Sequence, residues 1–152
     1  MAEFNAEGRA AQVSVPQGLH DRRKQGQILH HEETYTTDGT EVVGDKIAFM
    51  MNVPSRGARI KKKASRIHFG AAGSGATMNV GYRYTADGSV VSGQFATAVD
   101  IHAAGSCDLA EAGEDGNASF EVTADDFQLV ITLSGADPDA SIPITADLLY
   151  SV

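Results

Sequence analysis

From residue 28 onward, hydrophobic and polar residues alternate along the chain in short runs. The clearest run is TMNVGYRY (77–84), in which every second residue is apolar or aromatic. A period of two places such side chains on one face of a β-strand. Runs of the same kind occupy residues 90–101, 118–124, 127–135 and 141–150. The pattern therefore predicts a series of strands, each with one buried face.

Turn-forming residues separate these runs. Asp38-Gly39, Asp87-Gly88 and the glycine-rich stretch 70–76 are typical of tight connections between strands. No stretch shows the period of an amphipathic helix of three turns. About eight strands joined by turns predict an all-β protein, an antiparallel β-sandwich, and we favour its eight-stranded form, the jelly roll.

Residues 1–27 follow neither period and contain the structure breakers Pro16 and Gly18. Such a segment predicts an extended N-terminal arm outside the core, either disordered or folded onto a partner. The chain is therefore divided into an arm, residues 1–27, and a β-sandwich domain, residues 28–152. A length of 152 residues suits a single domain that needs no disulfide or metal to fold.

Six of the twelve basic side chains lie between residues 53 and 70. In this segment Ile60 and Ile67 have opposite parity, so the inward face must change between them. A β-bulge within residues 62–65 would produce that change and would place three consecutive lysines on a bulged edge segment. Lysines on an edge strand discourage unwanted strand pairing, which is a purely structural explanation of the cluster.

Charge is distributed unevenly along the chain. Residues 1–83 hold all twelve basic and eight acidic side chains, a net charge of +4. Residues 84–152 hold twelve acidic and no basic side chains, a net charge of −12. This polarity favours docking between oppositely charged surfaces, including head-to-tail contacts between copies. The alternative is that folding interleaves the two halves and reduces the asymmetry.

Several protein classes are disfavoured. Cys107 is the single cysteine, and we expect a small, partly buried residue rather than a nucleophile. The N-terminus lacks the regions of a secretory signal, and no apolar run approaches the roughly 18 residues of a membrane span. The net charge of −8 opposes nucleic acid, and Tyr82 and Tyr84 alternate like core residues. We therefore expect neither membrane nor nucleic acid as a partner.

Candidate chemistry is confined to a few polar clusters. In HHEE (30–33), strand geometry separates the first and third residues from the second and fourth. A metal site would need one of these histidine–glutamate pairs joined by His68 or His102 across the sheet, and a solvated strand face is favoured instead. The acidic loops 114–117 and 137–141 lack EF-hand spacing and suit turns. We predict no catalytic residue, no metal and no cofactor.

Two longer segments carry a resemblance to a known family. GDKIAFMMNVPSRGARIKKKASRIHF (44–69), followed by ATMNVGYRYTADGS (76–89), contains a Pro-x-x-Gly-Ala-Arg-hydrophobic turn between two strands and a downstream Asp-Gly. ASFEVTADDFQLVITLSGADPDASIPITADLLYSV (118–152) ends in a SGADPDAS loop and an ITADLLY strand. Over residues 40–152 the chain resembles the decoration, cement or head-stabilising proteins of tailed-bacteriophage capsids.

The resemblance implies a non-enzymatic virion protein that binds the outside of the capsid and bridges subunits of the major capsid protein. It implies a homo-oligomer, a dimer or trimer, made in the host cytoplasm and located on the capsid surface. We expect six basic residues to contact the shell: Arg22, Arg23, Lys24, Lys61, Lys62 and Lys63. The alternatives are a carbohydrate-binding, neck or tail virion module, and a metal-dependent β-barrel enzyme in which the HHEE strand meets His68 or His102.

Overall fold

The computed structural model describes residues 3–5, 28–49 and 54–152. These residues contain eleven β-strands and no helix, and hence no helix of the length and apolar character needed to cross a bilayer. The strands are β1 (Glu3–Asn5), β2 (Ile28–Thr36), β3 (Lys46–Phe49), β4 (Arg59–Lys61), β5 (Arg66–Phe69), β6 (Thr77–Tyr84), β7 (Val91–Asp100), β8 (Gly105–Asp108), β9 (Ser119–Glu121), β10 (Phe127–Ser134) and β11 (Pro143–Ser151).

The strands form two sheets. Sheet I has the order β1-β3-β10-β6-β7. In sheet II, β11 is central: it pairs with β2 on one side and with β4 and β5 on the other. Strands β9 and β8 then pair with β4 and β5. All pairs are antiparallel except β1 with β3. The predicted all-β antiparallel sandwich is confirmed, and its jelly-roll form stays a prediction.

Both sheets contribute alternate residues to one hydrophobic core. From β10 come Phe127, Leu129, Ile131 and Leu133, and from β11 come Ile144, Ala146, Leu148 and Tyr150. Tyr82 and Tyr84 pack against this core, as their alternation predicted, and the rings of Tyr82 and Phe120 lie 4.8 Å apart between centroids. These aromatic rings are therefore used in packing.

Three residues of the predicted arm form strand β1, which pairs in parallel with β3 at the edge of sheet I. Residues 6–27 lie outside the described residues. The division at residue 27 therefore stays a prediction, with the qualification that residues 3–5 belong to a sheet.

Strands β4 and β5 are one strand interrupted by a turn. Ile60 pairs with Tyr150, and Arg66 pairs with Asp147. Between these two pairs the β4–β5 segment advances by six residues, whereas β11 advances by three. The extra residues form the turn 62–64, after which Ile67 is buried like Ile60. The predicted change of face is confirmed, although the insertion is larger than a single-residue bulge.

Ser65 repairs the ladder at this interruption. Its buried hydroxyl accepts a hydrogen bond from the Leu149 N–H at 3.0 Å and donates to the Leu149 carbonyl at 3.3 Å. These two backbone groups would otherwise face a gap between β4 and β5, and a buried backbone group without a partner is costly. A side chain thus replaces the missing strand.

Three expectations about position were wrong. The lysine segment is not at an edge, because β4 and β5 lie between β11 and the β9 and β8 strands. A proline within a strand predicts an edge position, because proline cannot donate to the ladder, but Pro143 occupies the first position of central β11, where a missing N–H is tolerated. The alternation in residues 90–101 predicts an inward Val91, but Val91 is 41% exposed at the bulged start of β7, where its carbonyl lies over Gly81. A Cβ at Gly81 would lie 2.0 Å from that oxygen, so only glycine fits.

Candidate functional site

Lys62 lies within the fold. Its side chain is 8% exposed, and its ammonium donates to Glu114 Oε1 at 2.6 Å. Its N–H donates to the Ala118 carbonyl at 3.0 Å, and its carbonyl accepts from the Leu109 N–H at 3.1 Å. These three bonds join the turn 62–64 to the loop 109–118, an arrangement that we call the lysine tie. The hydrogen bond from Lys62 holds the pKa of Glu114 below its ordinary value.

The structure describes three of the six residues expected to contact a shell, and these three differ in exposure. Lys61 is half-buried on β4 and Lys63 is exposed in the turn 62–64. Lys62 is engaged by Glu114, so its charge is already compensated within the protein. The other three, Arg22, Arg23 and Lys24, lie outside the described residues. Of the six, Lys61 and Lys63 are the two that the described surface presents.

Folding brings the basic half of the chain against the acidic half. Besides the lysine tie, Arg59 lies 3.8 Å from Glu121 between side-chain atoms of β4 and β9. Arg66 on β5 stands opposite Asp108 on β8. The charge asymmetry of the sequence is therefore reduced within sheet II. This result agrees with the alternative in which folding interleaves the basic and acidic halves of the chain.

The outward surface of sheet II gathers polar side chains from three adjacent strands. On β2, Glu32 stands directly opposite Asp147 of β11, and His30 is one outward position away. On the other side of β11, His68 of β5 stands opposite Thr145, the outward residue next to Asp147. We call His30, Glu32, His68 and Asp147 the histidine face.

Side-chain atoms of the histidine face converge on Asp147. His30 Nε2 shares a hydrogen bond with Asp147 Oδ1, and His68 Nε2 lies 3.9 Å from Asp147 Oδ2. One potential ligand atom from each of His30, Glu32 and Asp147 lies within 4.8 Å of the others. The side chains remain open to solvent, with 54% of His30 and 49% of His68 exposed, against 26% of Asp147.

The other face of the HHEE strand is separate. His31 Nε2 donates to Glu33 Oε1 at 3.0 Å, and the Glu33 side chain is fully buried. The predicted division of HHEE between two faces is thus confirmed. The expected alternative partner, His102, lies in a loop and contacts Asp100 two residues away at 2.8 Å.

Sequence reasoning found His30, Glu32 and His68 as possible members of one cluster and missed Asp147. The period of β11 gave a usable signal, because Asp147 is the acidic residue at an outward position between apolar inward ones. What the sequence lacked was the register that sets Asp147 opposite Glu32 and between the two histidines.

The local electrostatics of the histidine face are unfavourable without a cation. Glu32 and Asp147 are like charges at directly opposed positions of an antiparallel pair, which destabilises a sheet. The contacts of His30 and His68 place an imidazole nitrogen beside each oxygen of the Asp147 carboxylate. The arrangement therefore offers ligand atoms for a metal cation.

A cleft of about 380 Å³ lies between β7 and the loop after β8, lined by residues including Phe95, Thr97, Cys107 and Glu111. Burial raises the pKa of Cys107 to about 11. The thiol is therefore protonated at neutral pH and a weak nucleophile. The expectation of a partly buried Cys107 is confirmed.

Three carboxylates of the acidic loops accept hydrogen bonds within the protein. Asp137 Oδ1 accepts from the Val43 N–H at 2.8 Å, and Asp115 Oδ1 accepts from the Asn117 N–H at 2.9 Å. Glu114 is held in the lysine tie. The Asp115 contact agrees with turn chemistry in the loop 114–117, whereas Asp137 connects the loop 137–141 to the backbone at Val43.

Comparison with known proteins assigns no family. No family model matches the chain, and no curated protein matches it. The structure of PliG from Aeromonas hydrophila, a periplasmic lysozyme inhibitor of g-type lysozyme, aligns with 99% of this chain and 95% of its own length at 13% identity and a TM-score of 0.27. A likeness at that TM-score carries no argument about this protein.

Proposed function

We propose that this protein is a non-enzymatic structural protein of a tailed-bacteriophage virion. It binds the outside of the capsid and stabilises the shell by bridging neighbouring subunits of the major capsid protein. The proposal starts from the resemblance of residues 40–152 to capsid decoration proteins.

The observation that carries the proposal is the broad outward surface of sheet II. Strand pairing fixes the positions of its side chains, so a wide partner can bind without much loss of conformational freedom. Acidic and basic groups alternate across it, with Arg59 near Glu121 and Arg66 opposite Asp108. Such a surface suits a protein partner of mixed charge better than a polyanion.

The mechanism is a linkage between binding and assembly. A protein bound across the seam between two capsid subunits contributes its binding free energy only while the seam is closed, so it stabilises the closed shell. Oligomerisation adds to this effect, because once one copy is bound the others act at a high effective concentration. Contacts that are individually weak are therefore sufficient to stabilise the closed shell.

The test is cosedimentation of the full chain with purified capsids that lack it, followed by measurement of the temperature at which the shells release DNA. The full chain is expected to bind and to raise that temperature. The double variant Lys61→Glu, Lys63→Glu is expected to bind more weakly, with a smaller dependence on salt. Arg56→Glu, which changes another exposed basic residue, is the matched control.

Failure of the full chain to bind capsids at low salt would reject the proposal. Binding to isolated tails or necks in place of capsids would favour the alternative virion location. If the double variant binds capsids as tightly as the wild type, the bridging role stands, but Lys61 and Lys63 do not contribute to the contact.

A further inference from the structure

We propose that the histidine face is a binding site for a divalent transition-metal ion, with Zn²⁺ as the probe. His30 Nε2 and one carboxylate oxygen each from Glu32 and Asp147 are the three protein ligands. The sequence favoured a solvated strand face at this place, and the argument for a metal comes from the register that adds Asp147. This inference does not depend on the proposed virion role.

The ligand set suits the metal. Zinc takes imidazole nitrogen and carboxylate oxygen at about 2.0–2.2 Å, usually in a tetrahedron, and catalytic or exchangeable sites keep one position for water or another ligand. In such a tetrahedron the ligand atoms lie roughly 3.3–3.6 Å apart. The candidate atoms already lie within 4.8 Å of one another, so small rotations of exposed side chains complete the geometry.

Strand pairing brings these ligands together from distant parts of the sequence. His30 and Glu32 are two residues apart on β2 and project on the same side, while Asp147 comes from β11. Because β2 and β11 share a ladder of nine residue pairs, the backbone positions of the ligands are fixed before the ion arrives. A preformed site loses less entropy on binding than a mobile one.

His68 supports the site from the other side of Asp147. Its Nε2 lies 3.9 Å from Asp147 Oδ2, while the other oxygen faces His30. At 3.9 Å this is a contact between ionisable groups and not a hydrogen bond, and outer partners that orient a metal-binding side chain commonly affect affinity by about 10–100-fold. We therefore assign His68 as a positioning residue rather than a ligand.

Charge gives an independent reason for a cation here. The opposed carboxylates of Glu32 and Asp147 repel each other in the metal-free protein. A divalent ion between them converts that repulsion into two attractive contacts. Three protein ligands would leave one position of a tetrahedron free, and because His30 and Glu32 are exposed, that position could take water or a carboxylate from a second molecule.

The experiment is calorimetric titration of the full chain with Zn²⁺, combined with the visible spectrum of the Co²⁺ form. One ion is expected to bind per chain, and Co²⁺ is expected to give the intense bands of a tetrahedral site. His68→Ala is expected to weaken Zn²⁺ binding by about tenfold. His30→Ala should weaken it more than His68→Ala does. Glu32→Gln, an exposed and nearly isosteric change, tests a ligand with little risk to folding.

His102→Ala is the matched control. His102 is an exposed histidine that contacts a carboxylate, Asp100, at 2.8 Å, but no third ligand joins this pair in the described part of the chain. Zn²⁺ binding should be unchanged in this variant. The proposal is overturned if the wild-type chain shows no saturable site, if His30→Ala and Glu32→Gln bind like the wild type, or if His102→Ala weakens binding as much as His30→Ala.

Discussion

Two regions of the molecule place opposite charges near each other, and they differ in what surrounds those charges. In the lysine tie, the side chain of Lys62 is 8% exposed and its hydrogen-bonding groups are all directed at the loop 109–118. In the histidine face, His30 and His68 are about half exposed and converge on one carboxylate. The first region is closed by its own loops, and the second is open to a ligand.

The difference shows that a charged cluster in a sequence does not by itself mark a docking surface. Lys61, Lys62 and Lys63 are consecutive, yet Lys62 is enclosed while Lys63 is exposed. The interruption of the β4–β5 strand produces this division, because the turn directs one lysine towards the loop 109–118. Predictions for the two regions therefore concern stability in the first and ligand binding in the second.

The largest expected loss of stability in the interrupted strand comes from Ser65→Ala. The variant leaves the Leu149 N–H and carbonyl without the hydroxyl that satisfies both. We expect the free energy of unfolding to fall by about 2–3 kcal/mol, measured by urea denaturation. Ser106→Ala, an exposed serine on β8, is the control and should change it by less than about 0.5 kcal/mol. Equal effects of the two variants would contradict the role assigned to Ser65.

Lys62→Ala is expected to lower the free energy of unfolding by about 1–2 kcal/mol. The loss is smaller than for a fully buried ion pair, because 29% of the Glu114 side chain stays exposed and water can solvate it. Lys63→Ala, one residue away and exposed, should change stability by no more than about 0.5 kcal/mol. A larger loss of stability in Lys63→Ala than in Lys62→Ala would contradict the stabilising role assigned to the lysine tie.

Acid should weaken the lysine tie. The pKa of Glu114 is lowered in the folded protein from its ordinary value near 4.5, so its contribution is fully present above that pH. The contribution is lost as the pH falls through the lowered folded-state pKa. The stability difference between the wild type and Glu114→Gln should therefore be constant from pH 7 to about 5 and shrink below pH 4. If this stability difference became larger as the pH fell, the predicted effect of Glu114 protonation would be wrong. Glu121→Gln serves as an exposed control.

The smallest expected effect has the opposite sign. In metal-free protein, Glu32→Gln removes the repulsion between Glu32 and Asp147, so stability should be unchanged or rise by about 0.2–1 kcal/mol. Thermal unfolding in the presence of a chelator measures this change. The same variant should lose the stabilisation that added Zn²⁺ gives to the wild type. A clear loss of stability in metal-free Glu32→Gln would mean that Glu32 stabilises the fold. The histidine face would then resemble the lysine tie in its effect on stability.

Much of the fold was predictable from local pattern. The alternation in β6, β10 and β11 gave the strands and their inward faces, because the buried residues of a sheet repeat every second position. The change of face between Ile60 and Ile67 was predictable for the same reason. The position of β4 and β5 inside sheet II was not, because alternation contains no information about neighbouring strands.

The candidate site was predictable only in part. Spacing placed His30 and Glu32 on one face, but His68 and Asp147 come from strands 36 and 115 positions further along than Glu32. Their approach depends on β11 lying between β2 and β5 with a particular register. A shift of the register by one residue would direct Asp147 into the core and remove it from the site.

The sequence by itself determined that the chain is a β-protein, where most strands lie, and which side of each strand is apolar. The physical reason is that burial of apolar side chains and the geometry of turns act over a few neighbouring residues. The tertiary structure alone decided which polar residues meet, which lysine is enclosed, and where charge is left exposed. Those outcomes depend on hydrogen-bonded pairing between strands far apart in the chain, and the same local patterns are compatible with many such pairings.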